Sequence, residues 1–232
     1  LGYNWSMTLR PCSDLSAAAW ITGSDLSWDR LVTFGPSGFP AYGRLRLLPD
    51  PEYPGQQEAD AETGEDDASE SGRLAAVLQV LSRHTSTPED CYFCLWDGWG
   101  SSSDSGDHVG MVDGRMIDLP GGIARPGLAP SSPSSIPRAP KVVVPNRAYF
   151  LYRGDVSELG DWGRAETWPD RPRPDTPPAF VWPADHAWCV ANDVDPHWVG
   201  IGADTRAIEA LTAHPLLDVV PADPREDQPS YR

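Results

Sequence analysis

The sequence predicts an α+β domain, a mainly antiparallel sheet with about three helices and long loops that are acidic or rich in Pro and Gly. Three observations predict it. Ten Trp and several β-branched runs favour pleated, half-buried surfaces. The 25 Pro and 21 Gly punctuate the chain too often for a helical bundle. Few segments carry apolar residues at helical spacing. The 232 residues suit one domain, 1–232, burying roughly 70% of its unfolded surface.

Residues 14–21 form a short helix with Ser13 or Asp14 as cap. The apolar, β-branched run 31–35 is assigned as a strand, followed by a Gly-Pro-Ser-Gly turn at 35–38. Over 41–48, Tyr42, Arg44 and Arg46 alternate with Leu45 and Leu47, the pattern of a half-exposed strand. Residues 50–72 are then an acidic flexible insertion. Residues 73–84 give the clearest helix, with Leu74, Val77, Leu78 and Leu81 three and four apart.

A polar break at 85–90 leads to a central strand over 91–99 and a flexible tip at 101–107. The stretches 120–140 and 169–178 are Pro-rich connecting loops. Between them, 141–153 supplies strands broken at Pro145. Further short strands are expected at 180–182, 188–194 and 198–201. A helix at 204–213, capped by Asp204 with Ile208 and Leu211 inward, precedes a last strand at 217–220. There is no fixed-period repeat.

Net charge is −16, and nine of the acids fall in 50–71 without a single Lys or Arg. Such a balance disfavours nucleic acid, which demands cations against phosphate. It suits a basic protein partner, whose approach it would steer. A solvated acidic loop is the simpler account of the run itself. No apolar stretch approaches 18 residues, so no membrane association is expected and a cytoplasmic location is the default. Met7 is taken as a natural start, with residues 1–6 as an upstream extension.

Chemistry would have to sit in two Trp-rich passages, 90–100 and 180–200. Trp96, Asp97, Trp99, Trp182, Asp185 and Trp188 are the candidate binding residues, because clustered Trp gives rigid contact area at low entropy cost. In an extended chain Asp193, Asp195 and His197 fall on one face, a set able to hold a divalent metal or to act as acid and base, with Asp185 and His186 nearby. Turn formation by Asp and Pro accounts for the same residues. No other cofactor is predicted.

Cys91 and Cys94 have the C-x-x-C spacing of a redox pair or half a zinc site. On a strand, positions three apart face opposite ways, so structural thiols are expected there, as for Cys12 and Cys189. Neither a phosphate-binding Gly motif nor a Gly-x-Ser-x-Gly elbow is present. The function expected is therefore a soluble, non-catalytic protein-binding or immunity-like module. The alternative is a metal-dependent hydrolase centred on Asp193, Asp195 and His197.

Three passages carry a resemblance: Phe34-Gly-Pro-Ser-Gly-Phe-Pro-Ala-Tyr-Gly-Arg-Leu-Arg, His84-Thr-Ser-Thr-Pro-Glu-Asp-Cys-Tyr-Phe-Cys-Leu-Trp and Trp182-Pro-Ala-Asp-His-Ala-Trp. Through them the chain resembles an uncharacterised family of actinobacterial proteins, over most of its length outside the acidic and Pro-rich loops. That resemblance implies no activity and carries over no catalytic residue. The C-terminal order of Trp-Pro-x-Asp, strand, Asp-rich turn, helix and strand is also similar to other small bacterial proteins of unknown role, some of them suspected immunity or partner-binding proteins, an analogy at the level of fold.

Overall fold

A computed structural model describes residues 9–61, 69–97, 109–112, 115–118, 140–157, 177–193 and 196–232. Trp99, Asp195, the tip at 101–107 and most of both Pro-rich loops lie outside them. The strands are β1 (Arg10–Pro11), β2 (Ala41–Arg46), β3 (Cys91–Trp96), β4 (Val109–Val112), β5 (Arg115–Asp118), β6 (Lys141–Val144), β7 (Arg147–Gly154), β8 (Phe180–Pro183), β9 (Cys189–Ala191), β10 (Trp198–Ala203) and β11 (Val219–Ala222). The α-helices are α1 (Ala19–Thr22), α2 (Trp28–Phe34), α3 (Glu70–Leu81) and α4 (Thr205–Thr212). The described chain is thus α+β and mainly sheet, with four helices where about three were expected.

Nine strands make one sheet in the order β1-β7-β3-β8-β9-β10-β2-β11, with β6 also on β7, and every pairing is antiparallel. β4 and β5 pair separately. Pairing β3 with β8 sets Tyr92 opposite Trp182 and Cys91 opposite Pro183, so the two Trp-rich passages are neighbours in space. At the far edge, Arg46 N–H donates to Asp218 C=O, which places Pro221 three pairs along at a position facing away from β2. The missing N–H of Pro221 blunts that edge against a further strand.

Helices cover both faces. The four apolar residues that predicted α3 are buried against the sheet beside Ile208 and Leu211 of α4, over Leu45, Phe93, Val181, Val190, Val199 and Ile201. Ser69 caps α3 by accepting Gly72 N–H, and Asp204 caps α4 by accepting Ala207 N–H. α3 begins at Glu70, so the acidic stretch ends before residue 72. On the opposite face α1 and α2 pack over Cys94, Leu151, Phe180, Trp182, Cys189 and Ala191.

The run assigned as a strand over 31–35 is instead the end of α2. Leu31, Val32 and Phe34 are all buried, and their β-branched, apolar character signals strand locally. Tertiary packing overrides that preference. A Cβ on Gly200 of β10 would stand 1.9 Å from the Thr33 carbonyl oxygen, so only glycine lets this helix lie so close to the sheet. Gly35, at φ 77°, ends α2 and lies against Cys189, where a Cβ would meet the sulfur at 2.9 Å.

Candidate functional site

The α1/α2 face brings the chain's aromatic residues together at one corner. Tyr92 of β3 stacks on Trp182 of β8, with ring centroids 5.5 Å apart. Trp20 of α1 meets Trp182 edge-on at 6.1 Å and Phe39 likewise at 6.1 Å. The His186 ring lies flat on Trp20, at 4.1 Å and 9°. His186 is exposed and held at φ 56°, a left-handed conformation uncommon outside Gly. Burial lowers its pKa against the opposing pull of Asp185.

Asp185 holds this turn in place. Its Oδ1 accepts the Thr85 hydroxyl at 2.8 Å and Ala187 N–H at 3.1 Å. Its Oδ2 accepts Ser86 N–H at 2.7 Å and the Ser86 hydroxyl at 2.8 Å. Desolvation works against its charge, yet these bonds outweigh it and its pKa falls below the ordinary value. Ala184 N–H donates to the Asp90 carbonyl and Asp185 N–H to the Thr87 hydroxyl, locking 84–90 to 183–187. With Phe39 against Trp20, the segments 34–46, 84–96 and 182–188 converge on one corner.

Arginine recurs here in a single arrangement, a guanidinium over an aromatic ring while gripping a carboxylate. Arg147 lies 5.5 Å from Trp28 and 5.0 Å from Trp96 and holds Asp193 through Nε and Nη2 at 3.2 and 3.3 Å. Arg44, only 5% exposed, lies 5.4 Å from Trp198 and holds both oxygens of Asp50 at 2.8 and 3.0 Å. Arg153 lies 5.7 Å from Tyr92 with Nη2 on Asp90 at 2.6 Å. His197 Nε2 adds a contact to Asp50 at 3.2 Å, and its ring meets Tyr231 edge-on at 4.7 Å. Burial opposes the Asp50 charge, but the bonds from Arg44 and His197 win and hold its pKa at about 2.

These positions redistribute the residues singled out from sequence. Trp182 and Trp188 are fully buried, on opposite faces of the sheet, so they fill the core and present no contact surface. Trp96 packs under Arg147, and Asp97 pairs with Lys141 at 2.6 Å. Asp185 is at the corner, as part of its framework. Asp193 is committed to Arg147 and His197 to Asp50, two separate networks, while Trp99 and Asp195 lie outside the described residues. Among the described residues no three or more His, Cys, Asp or Glu gather as a metal requires. Cys91 and Cys94 are buried on opposite faces, as their spacing on a strand requires. Burial pushes Cys91 up to about 12 and Cys94 well above its usual range, which keeps both thiols protonated.

Sequence reasoning named His186 only beside the Asp193, Asp195 and His197 set, and missed Trp20, Phe39 and Tyr92 at the corner and the arginine partners Trp28 and Arg147. The signal available was the number of Arg beside Trp and Tyr, for among 18 basic residues only Lys141 is lysine. Elsewhere a groove of about 480 Å³ runs between α4 and β11, lined by Ile208, Thr212, Pro221 and Ala222. A second, of about 370 Å³, lies between the 35–42 loop and residues 222–225. The charged residues of the second, Asp223 and Arg225, pair with each other at 2.6 Å. Compared with known proteins, the chain matches no family model, no curated protein and no solved structure.

Proposed function

We propose that this protein is a non-catalytic, immunity-like interaction module, soluble and cytoplasmic, which binds a basic protein partner through the corner formed by Trp20, Phe39, Tyr92 and His186. Membership of the uncharacterised actinobacterial family belongs to the same proposal. The observation that carries it is the Trp20–His186 stack, an exposed ring held flat on a half-buried Trp by a residue in left-handed conformation. Strain of this kind clusters at ligand clamps and costs about 1–3 kcal/mol where nothing else requires it. Trp and Tyr also carry a large share of binding energy at interfaces. Asp90 is paired with Arg153 and Asp185 is held by four hydrogen bonds, an arrangement suited to recognition more than to proton transfer. No helix among the described residues is long and apolar enough to cross a membrane.

Native mass spectrometry of the chain isolated gently from its own type of host tests the reading. The expected result is a stoichiometric added mass of protein size that Trp20→Ala removes. An added mass that survives Trp20→Ala would place the contact elsewhere, and an added metal ion would favour the hydrolase alternative.

A further inference from the structure

We infer that residues 223–232 are a strap that opens as a unit while the sheet stays folded, and that the closed strap keeps the Arg44–Asp50–His197 network out of water. Leu45 and Val199 face α3 and α4, so Arg44, Arg46 and Trp198 project from the opposite face. On that face α2 packs over β9 and β10. Beyond it the cover is the strap, which runs from the end of β11 past Arg30 of α2 to the segment 49–56.

No residue of the strap is buried. Its first half is tied to itself, for Gln228 Nε2 donates to the carbonyls of Asp223 and Glu226 at 2.9 and 3.0 Å. Among the described residues, four hydrogen bonds join the strap to the body. Arg30 donates to the Glu226 carbonyl at 2.7 Å and to the Asp227 carboxylate at 2.8 Å. The Tyr231 hydroxyl donates to the Pro49 carbonyl at 2.7 Å, and Arg232 N–H to the Gln56 carbonyl at 3.0 Å. The Tyr231 ring adds its edge-on contact with His197. A segment held by a few polar contacts, with no buried side chain of its own, opens at far lower cost than the sheet beneath it.

The groups under the strap favour opening as well. Arg44 and His197 are each only 5% exposed. Both Nη atoms of Arg44 are committed to Asp50, and its Nε is buried without an acceptor. Burial also works against the Asp50 charge. Water entering under a lifted strap supplies the missing acceptor and hydrates the carboxylate, while Arg44 and His197 keep their grip on it. Closure by the four hydrogen bonds is therefore opposed by desolvation of the network it covers. The base of the strap also walls the groove of about 370 Å³ that Phe39 lines, so the device sits beside the aromatic corner. Anything that recognises Arg44, Arg46 or His197 must meet the open state.

The test labels the histidines of the full chain with diethyl pyrocarbonate at urea concentrations below the unfolding transition, and reads each site by peptide mass spectrometry. His186, which is exposed, is the internal standard. His197 is expected to label far more slowly than His186, at a rate that urea hardly changes, because a lifted strap uncovers little surface. Arg30→Gln and Tyr231→Phe leave the ring beside His197 in place. Each should speed His197 labelling by about tenfold, through loss of closing hydrogen bonds. Together they should give about a hundredfold, because both sets of bonds close one unit. His186 labelling and near-ultraviolet circular dichroism should not change. Labelling of His197 that climbs with urea as steeply as global unfolding would overturn the inference, and the unaltered chain alone supplies that result. Labelling as fast as that of His186 would show that nothing covers the network. An unchanged rate in Arg30→Gln would show that the two ends of the segment move independently and that there is no strap.

Discussion

The two faces of the sheet are built by different rules. Beneath α3 and α4 the core is mostly aliphatic, with Leu74, Val77, Leu78, Leu81, Val190, Val199 and Ile201 at regular spacing. Beneath α1 and α2 the core mixes Ile21, Leu31, Val32 and Leu151 with Tyr149, Phe180 and Trp182, and its border is aromatic, with Trp20, Trp28, Phe39, Tyr92 and Trp96. Three guanidiniums join them there, and two glycines set the spacing between α2 and the sheet. Apolar area dominates the first face, which tolerates exchange of one aliphatic residue for another. Planar groups, charge pairing and close backbone approach hold the second, so single substitutions there should cost more and alter recognition as well as stability.

The largest effect should come from Arg147→Ala. Asp193, its carboxylate partner, has a side chain only 7% exposed and would be left buried without its cation. Urea denaturation should show a loss of about 3–5 kcal/mol. Removing Asp193 as well should recover much of it, and a simple sum of the two losses would contradict a coupled pair.

Next is Gly200→Ala, set against its neighbour Ile201→Val on the aliphatic side. The added methyl would collide with the Thr33 backbone, costing about 1–3 kcal/mol or more as α2 is pushed away. Ile201→Val should cost about 0.5–1.5 kcal/mol. Equal midpoints for the two variants would mean that the close approach of α2 is not what holds that face.

Asp185→Asn should follow, at about 1–2 kcal/mol, because an amide supplies only one acceptor oxygen where the carboxylate accepts four bonds. The same variant should loosen His186, which can be followed through exchange of backbone amides 184–187.

The smallest effect is the pH dependence contributed by Asp50. Its folded pKa of about 2 lies below the ordinary 3.8, so its stabilising contribution is complete above pH 3.8 and is lost as pH falls through 2. Partial exposure to solvent keeps that contribution modest. Asp50→Asn should flatten the corresponding part of an acid titration of stability. An unchanged acid limb would show that the carboxylate has no preferential stabilisation in the fold.

The same contrast decides what was legible from sequence. On the aliphatic face, Leu74, Val77, Leu78 and Leu81 gave α3 to within a few residues, and Asp204 gave the start of α4. Alternation in 41–48 and the break at Pro145 located β2, β6 and β7. On the aromatic face, α2 carries a strand-like composition, and what lets it pack on the sheet as a helix is Gly200, more than 160 residues away. The binding set drawn from Trp density mixed residues of the core, Trp182 and Trp188, with residues at its border. Burial depends on which helix covers which face, information absent from any local window. The corner itself required β3 beside β8 and α1 over both, three long-range placements.

The central claim is that recognition belongs to the aromatic face, and site-specific photo-crosslinking tests it most directly. A photoreactive residue would replace Ala19, exposed beside Trp20, or Gln79, exposed on α3, in the full chain expressed in its own type of host. The account predicts one discrete crosslinked partner from position 19 and none from position 79. A partner captured from position 79 alone would contradict it and move recognition to the aliphatic side of the molecule.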